Sequence, residues 1–420
     1  MKQRTRDIYN KLKATNIIAN FLNLSSIQIS NVLLLLLLIP IITRIIGIQQ
    51  FGIIMFASKF AQLAGSVINY GTGQSGVRDV AFNIKDRKKL GIVYYNNLFI
   101  RVFIFILFIA LLFGLHWFNV DYYPYILLSV PIALAEVFNP LCFFIGAERL
   151  KMFNLLNLVS NVVSILAILF FIKSAHDAKW VNFILGTANT VTYIGLLIYF
   201  GLQFKLSFNL PSKRELLKIG KDNFYLTVNN ISVNLQQSII IFALPRWGYS
   251  ILLGPYTLCD KIIGQCRILL ITVSNAIYPN AARLYQQSTS LWNVYRKKTK
   301  YLLAGVFFVS SILIFILADF IVFTLSKEHN ATAVLFLKVM AFVPIMSALN
   351  VLNVLDQLLK NNTVYIFRIA MLLFVLSVFV AFILVTAGNY LLIGSFTLII
   401  ETSAVLMYEY AIKKKHLQNG

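Results

Sequence analysis

Three cations stand inside stretches of sequence that are otherwise apolar: Lys59, Lys261 and Arg267. Lys59 follows Phe51 by about 12 Å of helix, which puts it near the middle of a hydrocarbon core about 30 Å thick. Lys261 has the equivalent depth in the second half of the chain. A lysine there costs about 2.5–3.5 kcal/mol if it faces lipid, so it needs a wet cavity or a partner. Facing a cavity, these three side chains would draw in an anionic ligand. Facing a partner, Lys261 would pair with its neighbour Asp260 or another acid while Lys59 reaches back toward the interface. The acids available in apolar runs are Glu136, Asp222, Asp260 and Glu401. Glu136 and Asp260 are the candidates for an ion-coupling group whose protonation or occupancy differs between two states, with structural ion pairing or helix capping as the alternative. Arg78 sits beside Asp79 and before the basic loop at 85–89, suited either to receive a ligand headgroup or to form an interfacial ion pair. Arg44 and Arg246, where the chain leaves apolar runs, read first as interface anchors and second as outer contacts for an anion.

Other chemistry is poorly supplied. Cys142, Cys259 and Cys266 lie in apolar runs as small packing residues, and His116, His176, His329 and His416 fall in loops or the tail without metal-ligand spacing. No Asp-x-Asp pair, H-E-x-x-H or G-x-S-x-G element occurs, and no G-x-x-x-x-G-K-[ST] loop. The residues therefore point away from an enzyme such as a membrane polymerase or glycosyltransferase, away from an ATP-driven pump within this chain, and away from any cofactor or metal. An exporter of small cationic drugs would want an acidic, aromatic cavity instead of Lys59, Lys261 and Arg267.

The elements that hold these residues must be membrane-spanning. Of 420 residues 59% are hydrophobic and only 12% charged, where a soluble domain carries about a quarter charged. The net charge of +22 comes as short clusters between apolar runs, which is topology signalling beside an anionic leaflet and not a nucleic-acid surface. Spans are expected at 17–43, 51–76, 92–116, 124–145, 154–173, 180–202, 219–244, 251–281, 301–325, 331–355, 364–387 and 390–412. The first reads as a retained helix, not a signal peptide, since it is too long and lacks a small-residue cleavage site. The second, seventh, eighth and tenth carry polar residues and so are candidates to line a cavity. Pro124, Pro131 and Pro140, with Pro245, Pro255, Pro279 and Pro344, should break or bend helices. Trp117, Tyr122, Tyr123, Tyr125 and Trp180 fall at span ends as interfacial anchors.

Basic residues concentrate in alternate connections. One set holds Lys2 to Lys13, Lys85 to Lys89, Arg149, Lys151, Lys205, Lys213, Arg214, Arg296 to Lys298, Lys360 and Lys413 to Lys415; the other holds only Arg44, Lys173, Lys179, Arg246 and Lys327. This places both termini in the cytoplasm and makes the number of spans even. The chain also repeats itself: Arg44 and Arg246, Gly52 and Gly254, and Lys59 and Lys261 are each 202 positions apart, and Asn20-Phe21 recurs as Asn223-Phe224. The expected fold is all-α integral membrane, with about 12 transmembrane helices in two parallel six-helix lobes, 1–207 and 208–420, around a central cavity.

Several short motifs fall in an order that resembles a known family. They are Thr43-Arg44-Ile45-Ile46-Gly47 with Phe51-Gly52, Tyr70-Gly71 leading to Ser75-Gly76-Val77-Arg78-Asp79, and Gly146-Ala147-Glu148-Arg149 with Lys151-Met152. The second half adds Leu253-Gly254-Pro255, Asn275-Ala276-Ile277-Tyr278-Pro279 and Glu401. Over nearly its whole length the chain resembles the Wzx-type O-antigen and oligosaccharide flippases, the polysaccharide transporter branch of the multidrug/oligosaccharidyl-lipid/polysaccharide exporter superfamily. The resemblance implies a MATE-like fold and translocation of an undecaprenyl-diphosphate-linked oligosaccharide across the bacterial inner membrane by alternating access. It also implies coupling to H+ or Na+, with membrane lipids and other glycan-assembly membrane proteins as partners. In that setting Lys59, Lys261 and Arg267 would meet the diphosphate or acidic sugars. Related proton-coupled drug exporters often carry an aspartate in the first span, and this chain has no acid there.

Overall fold

A computed structural model describes residues 37–418 apart from positions 119, 121 and 361. Residues 17–36 of the expected first span, the basic segment Met1 to Lys13 and Asn20-Phe21 lie outside the described residues. All described secondary structure is helical.

The first helical segment, α1 (37–69), is turned back on itself. Gly47 has φ +79°, a left-handed conformation that suits only glycine in the middle of a helical run. A straight rod would hold Leu38 and Gln62 about 36 Å apart, yet both line one cavity together with Ile42 and Met55. The arms before and after Gly47 are therefore antiparallel, as the separate spans ending at 43 and beginning at 51 require. Tyr70 and Gly71, both at positive φ, then break the chain before α2 (Thr72–Asn83). Asp86 caps α3 (Arg87–Leu115); the backbone N–H groups of Lys89 and Lys88 hold its carboxyl below the usual carboxylate range.

Proline divides the expected fourth span into α4 (Tyr123–Leu128), α5 (Val130–Phe138) and α6 (Leu141–Gly146). Pro124 and Pro131 stand in first turns, where their missing N–H is not needed, and Pro140 is the cap of α6. Next come α7 (Leu150–Phe171), α8 (Val181–Gln203), α9 (Lys213–Arg246) and α10 (Ser250–Gln287). The ninth span is α11 (Thr289–Ile316) followed by α12 (Ala318–Ser326), and the tenth is α13 (Ala331–Met340) with α14 (Val343–Leu359). α15 (Thr363–Ala387) and α16 (Tyr390–Gln418) complete the chain. α14 opens on Val343-Pro344-Ile345, the tripeptide that opens α5 as Val130-Pro131-Ile132.

Among the described residues, nine helical stretches are long and apolar enough to cross a membrane. α9 and α10 are not in that set because of their charged and amide side chains, although 34 and 38 residues of helix reach beyond a core of about 30 Å. Phe103, Leu107 and Leu111 on α3, Val306, Val309 and Leu313 on α11, and Leu372, Val375 and Phe379 on α15 are exposed. Apolar stripes of that size face lipid and not water. Inside, α5 packs on α8 and α7 on α8, while α14 packs on α10, α11 and α16 and α15 on α9. A core cluster around Tyr256, Phe336 and Met340 takes in Phe56, Ala57 and Ile126 from earlier in the chain.

Candidate functional site

The second arm of α1 and the first part of α10 lie side by side and parallel, and residues that repeat at 202 positions meet across them. Gln49 Nε2 donates to the Ile251 carbonyl at 3.1 Å. A side chain on Gly52 would begin 2.4 Å from the Gly254 nitrogen, so the two backbones touch and nothing larger fits. Two turns further in, Lys59 Nζ lies 3.7 Å from the Asp260 carboxylate, both side chains largely buried. On the expected parallel repeat, a residue that touches its own counterpart lies on the axis relating the halves, and Gly52 and Gly254 are such a pair.

Lys59 thereby takes the acid next to Lys261, and among the described residues Lys261 has no carboxylate within 4 Å. Its side chain lines a cavity of about 410 Å³ with Phe51, Gln62, Asn157, Asn189 and Tyr193. Gln62 and Ile132 are shared with an adjoining cavity of about 370 Å³ that contains Asn69, Glu136, Asn230 and Asn234. Glu136 accepts from Asn139 Nδ2 at 3.1 Å and Asn69 Nδ2 at 3.4 Å. Gly65 makes room for it, since a Cβ there would lie 2.8 Å from Glu136 Cγ. The two chambers offer amides, one ammonium and one carboxylate, a lining that can satisfy many hydroxyls and attract a single strong anion.

The other expected site residues lie elsewhere. Arg267 is bound to Glu401 at 3.0 Å, tying α10 to α16. Arg44 Nη2 donates to the Thr324 carbonyl at 2.6 Å, and Arg246 ends α9 exposed. Arg78 pairs with Asp79 at 2.9 Å on the wall of a separate recess. Cys142 and Cys259 are buried, Cys266 partly so, and all three are free thiols. Among the described residues no group of His, Cys, Asp and Glu could hold a metal ion.

Two polar centres escaped the sequence reading. Arg101, 2% exposed within α3, donates to Thr72 Oγ1 and the Asn139 carbonyl, each at 2.8 Å, fastening α3 to α2 and to the α5–α6 break. Asp356, fully buried near the end of α14, accepts from Trp292 Nε1 at 2.7 Å and pairs with Arg296 at 2.9 Å and Lys360 at 2.7 Å. Beside it Lys300 and Asn353 both bind Glu409. A lone arginine inside the third span was a visible signal. Arg296 and Lys360 carry no such signal, since basic residues in connections between spans are ordinary.

Residues 17–285 match the polysaccharide biosynthesis protein family. The chain belongs to that family. A relative from Escherichia coli (strain K12), described as a candidate O-antigen transporter, is 22% identical over 62% of this chain; the chain covers 63% of its length, less than two thirds. Among solved structures, the lipid II flippase MurJ in an inward closed conformation superposes with a TM-score of 0.73 at 12% identity, over 93% of this chain and 87% of that one. An inward-facing multidrug resistance MATE family transporter of the MOP superfamily gives 0.72 at 13% identity, over 93% and 98%. This member of the polysaccharide biosynthesis family is thus a multi-pass membrane protein with a MATE-like fold, as its motifs imply.

Proposed function

We propose that the chain is a flippase, not an enzyme, that carries an undecaprenyl-diphosphate-linked oligosaccharide across the bacterial inner membrane by alternating access. Two six-helix lobes, 1–207 and 208–420, meet along the α1–α10 contact line and part there as they rock, with both termini cytoplasmic. The single observation that carries this reading is the Lys261 ammonium, without an ion pair among the described residues, on the wall of an amide-lined chamber. A diphosphate would meet the ammonium while sugar hydroxyls use Gln62, Asn189 and the lower amides. The family match and the E. coli relative support the cargo class. Glu136, on the wall of the lower chamber, is the better placed of the two coupling candidates for H+ or Na+; Asp260 is committed to Lys59.

The test is reconstitution of the full chain in liposomes with a fluorescent polyprenyl-diphosphate oligosaccharide. Wild type should equalise the lipid between leaflets, and Lys261→Gln should slow this by about tenfold or more, the loss of one charge-assisted contact. Unchanged flipping in Lys261→Gln protein would remove the chamber's role. The drug-exporter reading predicts instead that deleting the gene raises drug susceptibility and leaves surface polysaccharide intact.

A further inference from the structure

A third recess, of about 320 Å³, lies away from the Lys261 chamber at the seam of α2, α3 and the start of α9. Asn96 and Asn97 are on its wall and only 5% exposed each. Among the described residues nothing hydrogen-bonds Asn96 Oδ1 or Asn97 Nδ2, both of them buried. Leaving such atoms unmet is destabilising, and leucine at either position would have avoided it. One orphan is an acceptor and the other a donor. A metal ion would leave the amide N–H unmet and a phosphate would leave the carbonyl unmet, whereas a hydroxyl or acetamido group satisfies both. The charges agree. Arg78 and Lys218 face Asp79, Glu215 and Asp222, and Arg78 is already paired with Asp79, so this wall has no surplus of positive charge. The volume lies at the lower end of small-molecule sites, about 300–1,000 Å³.

Lys218 and Asp222 also belong to a neighbouring recess of about 570 Å³, completed by Lys213, Arg214, Leu217 and Lys221. Four cations there oppose one acid, and Phe208 and Leu210, just before α9, are exposed beside them. We propose that the two recesses form a loading site for a lipid-borne glycosyl phosphate. The α9 cations hold the phosphate, and the Asn96 and Asn97 amides hold the first sugar, before the cargo reaches the Lys261 chamber. This rests on the flippase reading and adds to it a place where the cargo is recognised first.

The test uses the full chain in nanodiscs of neutral phosphatidylcholine and saturation-transfer NMR with the 1-phosphates of glucose, galactose and N-acetylglucosamine, the free sugars, and inorganic phosphate. At least one glycosyl phosphate should bind about tenfold tighter than its sugar or phosphate alone. Asn96→Leu with Asn97→Leu should reduce it to the level of phosphate, and Lys213→Gln, Arg214→Gln and Lys221→Gln together to the level of the free sugar. Both effects should persist in the Lys261→Gln background, where the chamber's ammonium is absent and the loading site is read alone. The site is overturned if no glycosyl phosphate binds, if the leucine pair leaves binding unchanged because water alone fills the recess, or if Lys261→Gln abolishes it. Should the leucine pair fail to fold, the three exposed α9 positions decide the matter by themselves. Wild-type liposomes that do not flip would sink the flippase reading; wild-type flipping with an unaltered concentration dependence in the α9 triple variant would sink only the loading site.

Discussion

Asp260 answers one of the two lysines that flank the axis, and that choice is what sets Lys261 apart. If the Lys59 contact is a true partnership, removing either end leaves the other charge poorly compensated in a dry setting, at about 1–3 kcal/mol. Lys59→Gln and Asp260→Asn should each lower the thermal midpoint in detergent, and the double variant should lose less than the sum of the two. Strict additivity would show that the 3.7 Å approach carries no coupling. Asp356 is the stronger case, with three donors on one fully buried carboxylate. Asp356→Asn should cost about 3–5 kcal/mol by stranding Arg296 and Lys360, read as a loss of folded protein after mild heating. Wild-type heat resistance would reduce the cluster to decoration. The intramembrane lysines stand out in the sequence because the runs around them are apolar, Asp260 and Arg267 apart. Asp356 does not, since it sits at a predicted span end four residues before Lys360, where a charge is ordinary, and only packing shows it enclosed.

At the scale of elements, prolines and positive-φ glycines mark the joints where apolar periodicity alone would run straight through. The breaks at Pro124, Pro131, Pro140 and Pro344 are legible for that reason, whereas α9 and α10 run on through Pro245, Pro255 and Pro279; of the matches at 202 positions Gly52 meets Gly254, while Arg44 binds Thr324 and Lys59 takes Asp260. The full length of α9 and α10 is not legible, because charged residues such as Lys213, Arg214, Lys218, Lys221 and Arg283 end the apolar run before the helix itself ends. Gly52 and Gly254 let α1 and α10 close one end of the molecule. A methyl at Gly52 meets backbone 2.4 Å away, and backbone cannot yield as a side chain can. Gly52→Ala should therefore hold that end apart and cut flipping by about tenfold or more, against about twofold for Gly264→Ala, which meets nothing within 4 Å. A companion experiment places cysteines at Gln49 and Ile251 and joins them with a short bis-maleimide. Flipping should stop on cross-linking and return when the linker is cleavable and cut; transport that continues through the cross-link would mean this end never opens.

Taken whole, the molecule sorts its charge between two ends. The sparse set gathers at one: Arg44 bonds to Thr324 and Ile48 to Glu328 beside Lys327, while Tyr125 reaches Gln50 near the loop that holds Lys173 and Lys179. At the other end Arg149 lies over Phe204 next to Lys205, Tyr70 reaches the Gly220 carbonyl in the basic start of α9, and Arg296 and Lys360 converge on Asp356. Charge bias and the fold thus agree on which loops share a face, and the orientation proposed above puts the basic face in the cytoplasm. Single cysteines at Lys88 and Lys297 should resist a membrane-impermeant maleimide in intact cells, whereas those at Lys179 and Lys327 should react; all four positions are exposed, so access to the reagent alone decides the result. The reverse pattern would turn the protein over. Its Asn96 recess and α9 cations would then face the compartment where lipid-linked sugars are consumed, and a site for loading would become a site for release.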